Sequence, residues 1–330
     1  MPRVSVLLPV FNAEAYLDAA LDSIHSQTFE DFEVIAVDDG STDASAAILD
    51  KARRRDSRVI VVSQPQSGIV VALNRAIEEA GGEYFARMDA DDIARGDRLL
   101  RQVAFLDANP ACVCVGSRYR MIGADGRVLG ESRTAPEFRQ TDLGSFPPYI
   151  ATLPHPSIMA RADAMRRVGG YRAGFPHAED TDLFLRLSGE GLLDCINEPL
   201  LDYRIHEGSI SAANLIRQTD SACLAILSAM IAKKDGKDPW NGGEAADRRA
   251  LSESVFGPAF RDLFECYCSL RLTRGYADRG LVADATGQGV RTIMSTVKTM
   301  PSVHWDRRSW LVLGTTLRVL ARLYYGKLRP

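Results

Sequence analysis

Short apolar runs alternate with helix-like segments through the first part of the chain. Four runs, at residues 4–8, 32–37, 58–62 and 83–88, have the length and apolar content of buried strands. Between them, apolar residues recur every three or four positions, as on the buried face of an amphipathic helix. Strands that alternate with helices are typical of a mainly parallel sheet with helices on its faces, so we predict an α/β fold.

The pattern is less regular beyond these strands. Residues 112–115 form a short apolar run, and Ala124-Asp125-Gly126 has the composition of a hairpin turn. Helical periodicity returns at residues 162–168 and 181–187, and residues 201–205 indicate one more strand. Every one of these elements falls before residue 212.

After this point the sequence predicts helices only. We therefore expect an α/β domain over residues 1–211 and a C-terminal helical region over residues 212–330. The last segment, residues 310–328, is apolar but contains Arg318 and Arg322. These charges and its short length argue against a membrane-spanning helix.

Basic and aromatic residues also flank or interrupt this last segment. They are Arg307, Arg308, Trp310, Tyr324, Tyr325, Lys327 and Arg329. Two interpretations remain open. The segment is either a helix packed on the rest of the protein or an interfacial amphipathic helix that contacts a membrane peripherally.

Composition limits the classes of partner. The formal net charge is -3, which gives no reason to expect nucleic-acid binding. The six cysteines lack zinc-knuckle spacing, and the first residues show no targeting segment. We therefore expect reduced thiols and a cytoplasmic protein, with peripheral attachment to the inner face of the cell membrane left open.

The strongest chemical signal follows the strand predicted at residues 83–88. Asp89, Asp91 and Asp92 lie within four positions, where the strand ends. Open α/β sheets bind their ligands at the carboxyl ends of strands, and clustered carboxylates repel one another unless a cation lies between them. Mg²⁺ and Mn²⁺ prefer oxygen ligands. The alternative is a solvated acidic loop.

Two further polar clusters follow the first two predicted strands. Residues 9–14, Pro-Val-Phe-Asn-Ala-Glu, come after the first strand, with Asn12 as a candidate helix N-cap. Amides at such a helix start suit an anionic or nucleotide ligand, although an ordinary capped loop has the same appearance. Asp38-Asp39-Gly40 follows the second strand, where an acid can accept hydrogen bonds from a ribose or a base.

Two clusters in the second half of the domain complete the set. Glu179, Asp180 and Asp182 open a predicted helix, where acids are favoured by the helix dipole and where one could also act as a general base. His206 follows the last predicted strand and could complete a metal site, or it could be a surface residue. The chain contains neither G-x-G-x-x-G nor G-x-x-x-x-G-K-[ST], which excludes the usual dinucleotide and P-loop fingerprints.

The motifs P-V-F-N, D-D-G-S-T-D, D-A-D-D, E-D-T-D-L-F-L-R-L and Y-R-I-H-E-G-S-I-S occur in this order. In this respect residues 3–211 resemble the family-two inverting glycosyltransferases of GT-A fold that build bacterial envelope and capsule polysaccharides. The resemblance implies a nucleotide-sugar donor, with a UDP-sugar favoured, and a glycan or lipid-linked saccharide as acceptor. It also implies a Mn²⁺ or Mg²⁺ cofactor.

Roles for individual residues come from the same resemblance. Asp180 would be the general base, with Glu179 and Asp182 as its supports. Asp91 would be the principal metal ligand, Asp89 would face the ribose or the metal, and His206 would reach the metal or the diphosphate. The residues expected to border the nucleoside or contact its base are Pro9, Val10, Asn12, Glu14 and Asp39.

Two other functions fit parts of this pattern. A nucleotidyltransferase also binds nucleotide and metal on an α/β sheet, but residues 9–14 are not the Gly-rich basic loop that it normally carries. A catalytically silent module that binds nucleotide sugars or glycans would show the same donor motifs. Turnover, and its loss when Asp180 is replaced, separates the enzyme from the silent module.

Overall fold

The computed structural model describes residues 1–132, 140–144, 149–175, 177–206, 215–236 and 238. The chain divides into two compact units. The first comprises Met1–Thr141, Ala151–Ala173 and Leu183–Ser209, and the second comprises Asp142–Ile150, Gly174–Asp182 and Ile210–Pro330. The domain boundary predicted at residue 211 falls outside the described residues and stays a prediction.

One nine-stranded sheet lies in the first unit. Its strands are β1 (Val4–Val10), β2 (Phe32–Asp38), β3 (Val59–Ser63), β4 (Tyr84–Arg87), β5 (Ile93–Ala94), β6 (Cys112–Ile122), β7 (Val128–Glu131), β8 (Met159–Arg161) and β9 (Leu192–Arg204). Their order is β3-β2-β1-β4-β8-β6-β9-β5, and β7 pairs with the far end of β6.

The sheet has a parallel half and a mixed half. Strands β1 to β4 pair in parallel, as the alternation of strands and helices predicts. Strand β8 is antiparallel to both β4 and β6, and β5 is antiparallel to β9, while β6 and β9 are parallel. The predicted α/β architecture is confirmed, but the sheet is mixed instead of mainly parallel: its uninterrupted parallel part is the N-terminal half, and β6–β9 is a parallel pair among antiparallel ones.

Helices cover both faces of this sheet. They are α1 (Leu17–His25), α2 (Ser45–Arg55), α3 (Ile69–Glu79), α4 (Arg98–Ala108), α5 (Ala162–Arg167) and α6 (Glu179–Glu190), the last of which begins in the second unit. Successive side chains of β1 point to opposite faces of the sheet, and each face carries its own hydrophobic cluster. Val6 and Leu8 pack in the cluster that contains residues of α1 and α4. Leu7 packs in the cluster that contains residues of α3.

The second unit contributes one long described helix, α7 (Leu215–Asp235). Its buried apolar residues include Ala222, Cys223, Ile226 and Leu227. No helix in the described ranges is both long enough and apolar enough to cross a membrane. The C-terminal segment 310–328, with its predicted membrane contact, lies outside the described residues.

Two sequence predictions need correction. Asn12 is not the N-cap of the first helix, because α1 begins only at Leu17 after a turn. Strands β6 and β9 are longer than the runs at residues 112–115 and 201–205 suggest. Their additional residues are mostly polar or half-buried, so no continuous apolar run marks them.

Candidate active site

The acid cluster, defined as Asp89, Asp91 and Asp92, lies in the turn directly after β4. One carboxylate oxygen from each residue lies within 4.8 Å of the others. The side chains of Asp89 and Asp91 are 28% and 32% exposed, whereas Asp92 is fully buried. The sequence prediction named Asp89 and Asp91 as metal ligands, and the structure adds the oxygens of Asp92 to the same group.

Electrostatics make this cluster suitable for a cation. Burial raises the pKa of Asp92 well above its usual range, and the charges of Asp89 and Asp91 raise it further. Burial also raises the pKa of Asp89, against the opposing effect of Arg87. The Oδ2 atom of Asp92 has no hydrogen-bond partner within the described residues. Three close carboxylate oxygens, together with an unpartnered buried oxygen on Asp92, fit a hard divalent cation.

His206 lies next to this cluster. It follows β9 by two residues, and its Nε2 atom is 2.9 Å from Oδ2 of Asp91. Its ring packs against that of Tyr16, with the centroids 5.0 Å apart. The structure thus brings His206 and Asp91 together, as the sequence analysis expected, while the role of His206 as a metal ligand stays a prediction.

Arg204 is a residue of this site that sequence reasoning missed. Its backbone N–H donates to Oδ1 of Asp92, and its Nε donates to the backbone carbonyl of Asp91. Its guanidinium also donates to the carbonyls of Gly123 and Ala124 in the β6–β7 turn and lies 4.6 Å from the Tyr16 ring centroid. A usable signal was its place at the end of the predicted strand, two residues before His206.

Asp39 lies at the carboxyl end of β2 and is almost fully buried. Its Oδ1 accepts hydrogen bonds from Nε2 of Gln64 and the backbone N–H of Ser67, and its Oδ2 accepts one from the N–H of Gly68. Asp39 therefore fixes the loop that leads into α3. Its predicted contact with a nucleotide base is a separate role that stays a prediction.

Asn12 and Glu14 connect two loops at the same edge of the sheet. Asn12 has a positive φ of 48°, and its Oδ1 accepts a hydrogen bond from the N–H of Thr42. An oxygen of Glu14 accepts one from the N–H of Ala44, and the N–H of Glu14 donates to Asp43. These contacts hold the β1–α1 loop on the β2–α2 loop.

Pro9 and Val10 precede these loops at the end of β1. They lie beside Val37 and Asp38 in the register with β2. Val10 is buried and Pro9 is half-buried. The predicted contacts of Pro9, Val10, Asn12 and Glu14 with a nucleoside stay predictions.

Glu179, Asp180 and Asp182 occupy the first turn of α6, in the second unit. Oδ1 of Asp180 accepts a hydrogen bond from the N–H of Thr181, so this residue does contribute to the helix start. Asp182 is 1% exposed, while Asp180 and Glu179 are half-buried. A position that the helix dipole favours does not exclude general-base chemistry, and the role of Asp180 as general base stays a prediction.

The half-buried His155 and the buried Tyr171 form a hydrogen-bonded pair in the first unit. Nε2 of His155 lies 2.9 Å from the Tyr171 hydroxyl. Burial lowers the pKa of His155 well below its usual value, and the positive charge of Arg87 lowers it further. This histidine is therefore neutral at neutral pH.

Comparisons with known proteins agree with this geometry. The sequence profile of "Glycosyl transferase family 2" matches residues 5–169. The O-antigen biosynthesis glycosyltransferase WbnJ of Escherichia coli is 31% identical over 219 residues, which cover 65% of this chain and 84% of WbnJ. The chondroitin synthase of Pasteurella multocida is 29% identical over 218 residues, but the match covers only 22% of that longer protein and 66% of this chain.

Solved structures show the same fold. S. aureus TarS 1-349 in complex with UDP-GlcNAc has a TM-score of 0.58 at 19% identity, covering 98% of this chain and 92% of that one. The mannosyltransferase PcManGT from Pyrobaculum calidifontis, in complex with GDP-Man and Mn²⁺, has a TM-score of 0.53 at 18% identity, covering 99% and 88%. The predicted GT-A fold is confirmed. Together with the profile match over half of its residues, the sequence relatives show that the chain belongs to glycosyltransferase family 2.

Proposed function

We propose that the protein transfers a sugar from a nucleotide-diphosphate sugar to a hydroxyl group of a glycan or a lipid-linked saccharide. The observation that carries this proposal is the acid cluster at the carboxyl end of β4, in a chain of glycosyltransferase family 2. The complexes of TarS with UDP-GlcNAc and of PcManGT with GDP-Man support a nucleotide-sugar donor. The similarity to WbnJ supports an acceptor in an envelope polysaccharide.

A divalent cation, Mn²⁺ or Mg²⁺, fits the acid cluster. Asp89, Asp91 and Asp92 would hold it, and His206 is proposed as a further ligand, which its contact with Asp91 supports. The bound cation would supply Lewis-acid chemistry that neutralises the departing diphosphate. The Mn²⁺ in the PcManGT complex supports this assignment.

The donor nucleoside would lie along the ends of β1 and β2. Pro9, Val10, Asn12 and Glu14 are proposed to border it, and Asp39 is proposed to contact the base. The hydrogen bonds that Asp39 already receives leave it fixed before a ligand arrives, so little conformational freedom would be lost on binding. We favour a UDP-sugar that carries a hexosyl or N-acetylhexosaminyl group.

Asp180 is the proposed general base, and Glu179 is its proposed support. Asp180 would take the proton from the acceptor hydroxyl as this oxygen attacks the anomeric carbon. The bond to the leaving diphosphate breaks on the opposite face, so a single displacement inverts the configuration. Holding donor and acceptor in line would provide much of the rate acceleration.

Asp180→Asn tests this mechanism. We expect turnover of a UDP-sugar with Mn²⁺ to fall about 10²- to 10⁴-fold, because the variant lacks the proton acceptor, while UDP affinity stays the same. Asp163→Asn is the matched control, since Asp163 also stands at a helix start and accepts a backbone N–H. Proton NMR of the product gives the anomeric configuration.

Three outcomes would contradict the proposal. Equal loss of activity in Asp163→Asn and Asp180→Asn would mean that helix capping explains the effect. A product that retains the donor's anomeric configuration would exclude the single displacement. UDP binding without turnover, across UDP-, GDP- and dTDP-sugars, would favour the silent binding module.

A further inference from the structure

Arg87 makes a paired contact with the acid cluster from inside the protein. It is the last residue of β4, and its side chain is 4% exposed. Its Nη1 atom donates to Oδ2 of Asp89 at 2.6 Å, and its Nη2 atom lies 2.5 Å from Oδ1. Two parallel contacts between a guanidinium and a carboxylate fix the orientation of both planes.

The backbone of Arg87 is itself held firmly. Its N–H donates to the carbonyl of Ile158 in the neighbouring part of the sheet, and its carbonyl accepts a hydrogen bond of 2.6 Å from Nη2 of the buried Arg98. Nε of Arg98 in turn donates to Gln102. The guanidinium that contacts Asp89 therefore projects from a rigid strand, whereas Asp89 lies in the turn that follows.

The Nε atom of Arg87 takes no part in the contact with Asp89. This atom is buried and has no hydrogen-bond partner in the part of the chain that the structure describes. Buried polar atoms are nearly always hydrogen-bonded, so an exception requires an explanation. Here both terminal nitrogens are aligned with Asp89, so the pairing with this carboxylate determines the position of the side chain.

We propose that Arg87 is a positioning residue for the donor site, which holds the Asp89 carboxylate in the orientation that the cation and diphosphate require. This inference rests on the proposed function, because it assigns Asp89 to that site. A buried ion pair that served stability alone would leave ligand affinity unchanged when it is weakened. A positioning pair would alter affinity through Asp89.

The test uses Arg87→Lys, Arg87→Met, Asp89→Asn and the double variant Arg87→Met/Asp89→Asn. Mn²⁺ binding to the nucleotide-free protein is measured by electron paramagnetic resonance, and UDP binding with Mn²⁺ by calorimetry. Loss of the paired contact in Arg87→Lys is expected to raise the Mn²⁺ dissociation constant about 10- to 100-fold. The double variant is expected to bind no more weakly than Asp89→Asn, because Arg87 acts through Asp89.

Arg161→Met is the matched control. Arg161 also donates its guanidinium hydrogen bonds inside the fold, to the carbonyls of Cys112 and Leu106, but the structure records no contact between it and a carboxylate of the acid cluster among the described residues. Its loss is expected to lower stability and to leave Mn²⁺ affinity within about twofold of wild type.

The possible outcomes separate the two proposals. Wild type that binds neither Mn²⁺ nor UDP would contradict the proposed function. Wild-type binding together with unchanged affinity in folded Arg87→Lys would overturn the role of Arg87 alone. Additive losses in the double variant would overturn the action of Arg87 through Asp89, and failure of both Arg87 variants to fold would overturn the proposal in favour of a purely structural ion pair.

Discussion

At the scale of single residues, burial separates the roles of the three clustered acids. Asp89 and Asp91 are partly exposed, and the sequence motif predicts that they are metal ligands. Asp92 is fully buried beneath them and accepts the N–H of Arg204, a residue far away in sequence. The position of the acids could be predicted from the strand that precedes them. Their unequal burial could not be predicted in this way, because Asp92 is in contact with Arg204 at the end of β9.

His155 provides a prediction about pH. Its pKa is lowered in the folded protein, so below pH ~6.5 the unfolded chain takes up a proton that the native state does not. The stability contribution of neutral His155 is therefore complete above that pH and is lost as the pH falls. We expect the free energy of unfolding to decrease by about 1.4 kcal/mol per pH unit from this residue, and His155→Gln to lack this slope.

Urea unfolding between about pH 5 and 7.5 measures the effect. The other titrating groups contribute equally to the pH dependence of wild type and variant, so their contributions cancel in the difference. His25→Gln is the control, because His25 is exposed and its Nδ1 lies 2.7 Å from Oδ2 of Asp56 at the protein surface. Identical slopes for wild type and His155→Gln would show that His155 is protonated in the folded state.

At the scale of elements, two loops at the edge of the sheet depend on each other. Asn12 and Glu14 accept N–H groups from the β2–α2 loop, and Asp39 accepts N–H groups from the loop before α3. The sequence predicted the polar character of each loop and the helices that follow. It did not predict that one loop caps another, because such contacts join residues distant in sequence. The misplaced N-cap at Asn12 has this cause.

Gly40 tests how tightly these loops are fitted. Its φ is +75°, and an added Cβ would lie 2.7 Å from the backbone nitrogen of Gln66. We expect Gly40→Ala to lower the free energy of unfolding by about 2 kcal/mol or more, because the left-handed conformation alone costs an alanine roughly 1–2 kcal/mol. Denaturant unfolding measures the loss.

Gly189→Ala is the opposite case within the same chain. Gly189 lies in the last turn of α6, where no atom lies within 4 Å of an added Cβ and its φ is not in the left-handed region. Alanine should therefore raise stability by roughly 0.5–1 kcal/mol. Equal effects of the two substitutions would mean that the backbone at Gly40 relaxes easily.

At the scale of the whole molecule, the parallel half of the sheet was predictable and the mixed half was not. Each of β1 to β4 is a compact apolar run separated from the next by one helix, which restricts the possible topologies. Strands β6 and β9 are long and partly polar, and hydrophobic periodicity does not identify a partner far along the chain. Arg204 lies at the end of β9 and His206 follows it, so the positions of both depend on the pairing of β9 with β6. The sequence pattern does not predict this pairing.

Ligand-dependent stability tests the donor site of the complete chain. A ligand at ~100 times its dissociation constant adds about 2.7 kcal/mol to the free energy of unfolding. We expect UDP with Mn²⁺ to raise the melting temperature by several degrees. UDP with a chelator should have a smaller effect, and Asp91→Asn should abolish the metal-dependent part. GDP and dTDP serve as matched nucleotides, and a larger shift with either would correct the assignment of UDP.

The pairing of β6 with β9 also determines when the protein becomes complete during its synthesis. Strands β1 to β4 all precede residue 88 and can associate once the ribosome has released them. Residues 112–122 pair with residues 192–204, so this ladder forms only after a long stretch of further translation. Arg204 and His206 arrive with that last strand. A nascent chain therefore carries Asp89, Asp91 and Asp92 well before Arg204, whose backbone N–H donates to Asp92, so the acid cluster reaches its described arrangement late in folding.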